Sequence, residues 1–386
     1  MKRNITAVIT AILLAGGISQ ALADEGPIII AGSATHTVPI SITGFSGEVE
    51  SVLKFDLSVL GMEITTPDLA EYLVSGDDNG RVEGRLTPKG ASRPLWLRAY
   101  AGGTPRTQAH AFANDIAREI RQTVPIFQTK IAFRQQLGPA TEICVADFDG
   151  GSAVPVTHDG SLIGGPCWIP GGRGLLYPSW KSGDTQILEH DLSTGARRLV
   201  AGYPGANLSP EVSPNGQKVA MILSKGGSPN LYVGDLGGGG LLQLTRTREE
   251  DSCPCWSPDS QEICFVCRSG RARLQKISVN GGPARSLPVA GVFGNMTAPD
   301  WSPDGKQIAF TSGSGYFTIW VVPAGGGVAQ KLVEGEDPCW APNSRTIIFS
   351  RRINNKHVLC LLDAPTKHVK YLRQISGSCS EPSWAR

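Results

Sequence analysis

Nine cysteines and six histidines are the groups in this 386-residue chain best suited to metal binding, disulfide formation or nucleophilic chemistry. The cysteines are Cys144, Cys167, Cys253, Cys255, Cys264, Cys267, Cys339, Cys360 and Cys379, an odd number that cannot all pair. Cys264-Phe-Val-Cys267 has no second Cys-x-x-Cys to complete a zinc site, and it falls on a predicted strand rather than at a helix N-terminus that would stabilise a thiolate. Cys253 and Cys264 oppose each other across the Trp-Ser-Pro-Asp-Ser hairpin in one register, and a one-residue shift removes the bridging geometry. His36, His110, His158, His190, His357 and His368 are scattered without metal-ligand spacing. No Gly-x-Ser-x-Gly, His-Glu-x-x-His or P-loop occurs, so neither a hydrolase elbow nor a zincin or nucleotide site is signalled. Asp147-Phe-Asp-Gly150 lacks the spaced carboxylates of a calcium loop and reads as a hairpin turn. These residues predict a protein that is not an enzyme and uses no cofactor or metal.

One chemical set does recur. Pro166-Cys-Trp168, Pro210-Glu-Val212, Pro254-Cys-Trp256, Pro299-Asp-Trp301, Pro338-Cys-Trp340 and Pro382-Ser-Trp384 follow one another at spacings of 44, 44, 45, 39 and 44 residues. A period of this length marks a repeat architecture, with Trp168, Val212, Trp256, Trp301, Trp340 and Trp384 as its anchors. The residues just before the anchors are Cys167, Glu211, Cys255, Asp300, Cys339 and Ser383. Two readings fit such a ring: a metal-binding channel, or a slot for small side chains with charges where water enters.

The elements that carry the ring follow from its surroundings. After Pro299-Asp-Trp301 come the turn Ser302-Pro-Asp-Gly305 and the apolar runs Gln307–Phe310, Phe317–Val322 and Ala329–Val333. Four short strands per unit, repeated, predict an all-β six-bladed β-propeller, which hides strand edges by radial stacking. Pro382-Ser-Trp384 lacks its second strand, whereas Lys130-Ile-Ala-Phe133 repeats the wording of a second strand without a first. One blade is therefore expected to be built from both ends of the repeat region. Ahead of it, Ile28–Ile30, Val38–Thr43, Arg81–Leu86 and Leu95–Tyr100 read as strands, and Glu48–Leu60 and Thr107–Val124 as helices, with nothing legible between Leu60 and Arg81. This predicts a small mixed α/β domain, giving residues 1–23 as signal peptide, 24–126 as mixed domain and 127–386 as propeller.

Lys2 and Arg3 precede the apolar run Ile5–Ile18 and the small-residue site Ala21-Leu-Ala23, so cleavage is expected between Ala23 and Asp24. Losing Lys2 and Arg3 leaves 34 basic against 34 acidic residues, which removes any whole-molecule case for nucleic-acid binding. No later stretch is apolar enough to insert into a membrane, and a monomer is expected.

The wording Trp-Ser-Pro-Asp-Gly, the entry Phe127-Gln-Thr-Lys-Ile-Ala-Phe133 and the run Glu142-Ile-Cys-Val-Ala-Asp-Phe-Asp-Gly150 resemble the TolB family of propellers over about residues 106–386. The resemblance implies a periplasmic, non-catalytic component of the Tol–Pal envelope system. Its propeller would bind a Pal-type peptidoglycan-associated lipoprotein at one channel mouth, and its N-terminal region would meet a TolA-like inner-membrane protein. By blade position the partner-binding residues are expected to be Leu162, Ala206, Asn207, Asp251, Ser252, Asn295, Met296, Glu336, Asp337, Ser380 and Glu381. Two alternatives are an accessory propeller of a separate hydrolase or peptidase, and a propeller binding a sugar or metal in its channel. Exposed aromatics on the channel loops would favour sugar, and the loops above have none.

Overall fold

A computed structural model describes residues 36–313 and 315–386; the expected signal peptide, its cleavage site and the strand Ile28–Ile30 lie outside them. Ahead of the repeats, β1 (Val38–Thr43), α1 (Gly47–Val59), β2 (Met62–Ile64), β3 (Tyr72–Asp77), β4 (Val82–Pro88), β5 (Trp96–Tyr100) and α2 (Pro105–Arg121) follow in order. The sheet runs β2-β1-β3-β4-β5, with β1 parallel to both of its neighbours. β2 and β3 fill the region that gave no signal. One has three residues, and the other ends in Ser-Gly-Asp, types depleted from strands. Gly76 is required there, because a Cβ would meet the Glu83 carbonyl oxygen at 1.9 Å.

Helix α2 starts earlier and stops sooner than the apolar spacing implies. Thr104 caps it by accepting the Thr107 N–H, with Pro105 in the first turn. Gln122 then turns left-handed at φ 54°, leaving Val124 exposed. Pro125 disfavours helix at Val124, so the chain leaves the helix one turn before the proline.

The rest forms six four-stranded blades. The inner strands are Cys167–Trp168 (blade 1), Asn207–Val212 (blade 2), Glu250–Trp256 (blade 3), Asn295–Trp301 (blade 4), Glu336–Trp340 (blade 5) and Ser378–Trp384 (blade 6). Blade 6 joins Ser378–Trp384 to β6 (Lys130–Leu137), β7 (Ala140–Asp147) and β8 (Val154–Pro155), with Trp384 opposite Ile131 and Ser383 opposite Ala132. Both ends of the repeat region thus share a sheet. Trp384 is buried, donates its indole N–H to Thr129 Oγ1 at 2.7 Å and stacks on Phe148.

The mixed domain and blades 5 and 6 share one continuous core, which includes Leu53, Phe112, Ile116, Phe127, Phe148, Leu359 and Trp384. At this junction the Asp147–Gly150 turn is more than a hairpin: Phe148 packs against Phe55, and Asp149 pairs with Arg106 of α2. Beside it the His110 ring meets Asp56 at 2.7 Å. Arg121 donates to the Leu60 and Gly61 carbonyls, tying the end of α1 to α2. Gly61 packs against Asp363 and Thr366 of blade 5, where a Cβ would lie 2.7 Å from a carboxylate oxygen.

Candidate functional site

Each inner strand from blade 2 to blade 6 contains one extra residue relative to its neighbour, between Leu208 and Glu211, Ser252 and Cys255, Thr297 and Asp300, Glu336 and Cys339, and Ser380 and Ser383. At every one of these bulges the residue before the repeat proline has a positive φ: Ser209 (48°), Cys253 (48°), Ala298 (46°), Asp337 (54°) and Glu381 (50°). Such a conformation costs a non-glycine residue on the order of 1–3 kcal/mol, and bulges re-aim side chains beside functional sites. In blade 1 the equivalent residue is Gly165, where a Cβ would fall 2.6 Å from Glu381 Oε2. Together these six positions and their prolines line a mouth cavity of about 480 Å³.

Several of the expected partner-binding residues stand elsewhere. Asp337 and Glu381 line this cavity. Leu162 is exposed, and Ala206, Ser252, Asn295 and Glu336 keep partial or full solvent contact. Asn207, Asp251 and Met296 are buried and cannot present side chains to a partner, which corrects the expectation for them. Asn207 is spent on its own loop, donating to the Thr185, Tyr203 and Gly205 carbonyls. Asp251 accepts the Thr245 hydroxyl, and Met296 packs between blades 3 and 4. Ser380 is also buried, with Oγ accepting from Arg134 at 3.1 Å. The blade-position argument places the loops one to three residues too early, because it treats Pro-x-Trp strands as regular. Its missing signal is the residue directly before each repeat proline, which identifies Ser209, Cys253 and Ala298.

Two further residues were missed. Phe293 and Tyr316 are 82% and 86% exposed. Phe293 precedes the inner strand of blade 4, and Tyr316 lies in the hairpin after Gly313, which pairs with Asn295 at that same end. Blade 4 therefore does present aromatics near the mouth.

Deeper in the channel, the residues before the anchors hold neighbouring blades together. Cys167 Sγ accepts the Val212 N–H (3.3 Å), Asp300 Oδ2 that of Trp340 (2.5 Å) and Cys339 Sγ that of Trp384 (3.4 Å). The anchors reach back: Trp256 donates its indole N–H to the Glu211 carbonyl and Trp168 to that of Ser383. All six anchors, Trp168, Val212, Trp256, Trp301, Trp340 and Trp384, are buried. At Cys167, Asp300 and Cys339 the side chain offers an acceptor to the backbone of the next blade. Burial and then nearby Asp300 push the Cys339 thiol up to about 12, so it stays protonated. Among the described residues, no three His, Cys, Asp or Glu side chains are placed to hold a metal ion. Cys255 lies opposite Cys264 in the register set by the hairpin turn, and Cys253 sits within the bulge, so the register that would oppose Cys253 to Cys264 is not the one formed.

On the far side of this waist is a second cavity of about 280 Å³, bordered by Trp168, Trp256, Trp301, Trp384 and Arg386. Arg386 pairs with Asp300 and donates to the Trp340 carbonyl. Burial and the nearby Asp300 charge raise Glu211 to about 7, with Arg386 opposing. Burial, Glu381 and Glu336 raise Asp337 likewise to about 7. An unfolded chain ionises these carboxyls near pH 4, so between about 4 and 7 the folded state binds more protons. Stability contributed by these two groups is thus present below pH 4 and lost as pH rises towards 7. Glu211→Gln with Asp337→Asn is expected to flatten this part of the pH–Tm profile and to raise Tm relative to the unmodified protein above pH 7. An unchanged slope would count against the assignment.

The family described as TolB beta propeller domain matches residues 119–386. The Tol-Pal system proteins TolB of Bordetella parapertussis and Bordetella pertussis are each 32% identical to the chain over 284 residues. That match covers 72% of this chain but only 64% and 65% of theirs. The crystal structure of TolB from Acinetobacter baumannii superposes with a TM-score of 0.82 at 21% identity, covering 91% of this chain and 97% of that one. A putative TolB from Agrobacterium tumefaciens gives a TM-score of 0.52 at 19% identity, over 64% of this chain and 88% of its own. Through the matched repeats, the shared architecture and the sequence identity, this chain belongs to the TolB β-propeller family.

Proposed function

We propose that this protein is a non-enzymatic scaffold of the Tol–Pal envelope system, exported to the periplasm. Residues 1–23 are its export segment, 24–126 its mixed domain and 127–386 its propeller. The bulged mouth binds a Pal-type peptidoglycan-associated lipoprotein, and the N-terminal region meets a TolA-like inner-membrane protein. The observation that carries this reading is the ring of left-handed residues at the mouth, repeated in five blades. Strain repeated five times around one cavity supports a recognition surface there. Leu162, Ala206, Ser252, Asn295 and Glu336 form the outer rim in this reading, with Phe293 and Tyr316 as apolar contacts; aromatics are enriched at such interfaces. Family membership and the 32% identity to proteins named for the Tol-Pal system support the choice of partner. No described helix is long and apolar enough to cross a membrane.

The test is capture of the Pal-type lipoprotein from detergent-solubilised envelope, using the protein and a variant carrying Ser209→Arg and Ala298→Arg. Both residues already sit at positive φ, so arginine adds no new backbone strain there. Capture by the unmodified protein and loss in the variant, with Tm unchanged, is expected. Equal capture by both would refute placement at the mouth.

A further inference from the structure

Five arginines crowd one end of blade 3: Arg246 and Arg248 in the segment leading to its inner strand, and Arg268, Arg271 and Arg273 around its next hairpin. Local structure puts them outside. In Thr245-Arg-Thr-Arg248 the threonines fasten the chain to blade 2. Thr245 Oγ1 accepts the Leu231 N–H at 2.8 Å and donates to Asp251, while the Thr247 N–H bonds Asn230 Oδ1 at 3.1 Å. Thr245 is buried, and Arg246, Thr247 and Arg248 are all exposed. In Arg271-Ala-Arg-Leu274 strand alternation buries Ala272 and Leu274 and turns Arg271 and Arg273 out.

The two stretches are neighbours. Arg273 lies opposite Cys267, whose thiol donates to Glu249 at 2.9 Å, and Cys267 in turn lies opposite Asp251. At the adjoining end of blade 2, Lys225 stands 4.4 Å from the Tyr203 ring centroid. None of the five arginine side chains makes a hydrogen bond or salt bridge among the described residues. The acidic side chains closest in the chain are already committed or too few: Asp251 is buried, Glu249 takes the Cys267 thiol, and only Glu250 is exposed.

We propose that this arginine arc docks an acidic segment of a partner protein. Guanidinium groups bind carboxylates through paired parallel hydrogen bonds, and here Arg246, Arg248, Arg271 and Arg273 form the arc without such a partner, Arg268 lying opposite Ala272 on the other face of its strand pair. Glu249 and Glu250 lie among them and would repel a uniformly anionic surface, but they leave room for a peptide whose carboxylates fall between. The inference does not depend on which protein occupies the channel mouth.

The experiment compares the full chain with a variant carrying Arg246→Ala, Arg248→Ala, Arg271→Ala and Arg273→Ala, all surface positions. One probe is a fluorescein-labelled peptide of repeated Asp-Glu-Ala, read by anisotropy. The other is a phosphatidylglycerol–phosphatidylcholine vesicle, read by co-sedimentation. Peptide binding that weakens with salt and falls about tenfold or more in the variant is expected, with no vesicle binding. Circular dichroism of the variant should match that of the parent. Binding of vesicles without peptide, equal peptide binding by both proteins, or no binding of either probe would each overturn the proposal.

Discussion

Removing residues 379–386 is expected to leave a chain that no longer folds as a propeller. These residues supply almost all of the inner strand of blade 6, whose register runs from Ser378 opposite Gln136 to Trp384 opposite Ile131. Deleting a buried tryptophan alone costs about 3–5 kcal/mol. Here Trp384 goes together with buried Cys379, the Thr129 hydrogen bond and the acceptor that Cys339 offers to the Trp384 N–H. Blade 1 also loses the Ser383 carbonyl that receives the Trp168 indole. The sum reaches the whole stability of a typical domain, about 5–15 kcal/mol. Because blade 6 shares its core with the mixed domain, the damage should not stay local. Near-UV circular dichroism should lose its tryptophan signal and thermal melting its cooperativity. A cooperative melt within a few degrees of the parent would show that the ring closes without this strand.

The second large effect belongs to blade 5. Arg345 and Asp363 are fully buried and meet side by side, Nε to Oδ1 at 2.5 Å and a terminal nitrogen to Oδ2 at 2.8 Å. Thr366 adds its hydroxyl to the same carboxylate, on the surface that receives Gly61. Asp363→Ala removes the bidentate partner of a buried guanidinium, which costs about 3–5 kcal/mol. Replacing both partners, as Arg345→Met with Asp363→Leu, should recover much of that loss, because desolvation of the charges disappears with them. Urea titrations with a constant m-value give the comparison. A loss below about 1 kcal/mol for Asp363→Ala would contradict the burial argument.

Repetition explains what was legible in the sequence. A proline and a large apolar residue at a fixed offset, six times over, give the blade count, and Lys130–Phe133 gives the closing blade. The mixed domain was harder. β2 is three residues long and β3 carries Ser-Gly-Asp, so neither announces itself by periodicity. At the mouth the obstacle was the bulge: an inserted residue leaves alternation looking intact while moving every side chain before it by one place. Hence Asn207, Asp251 and Met296 were read as rim residues and turn out to be buried, whereas Ser209, Cys253 and Ala298 line the cavity. The ring Cys167, Glu211, Cys255, Asp300, Cys339 and Ser383 lies along the channel, as the repeat implies, but the role of Cys167, Asp300 and Cys339 as acceptors for the next blade's N–H depends on contacts between units that no single repeat contains.

The propeller mouth as a partner site is tested most directly by calorimetric titration of a purified Pal-type lipoprotein domain into the protein and into its Ser209→Arg, Ala298→Arg variant. One-to-one binding by the parent, weakened about thirtyfold or more in the variant, is the expected result, since a clash at an interface centre costs at least about 2 kcal/mol. Equal affinity for the two proteins, or no heat from either, would contradict it.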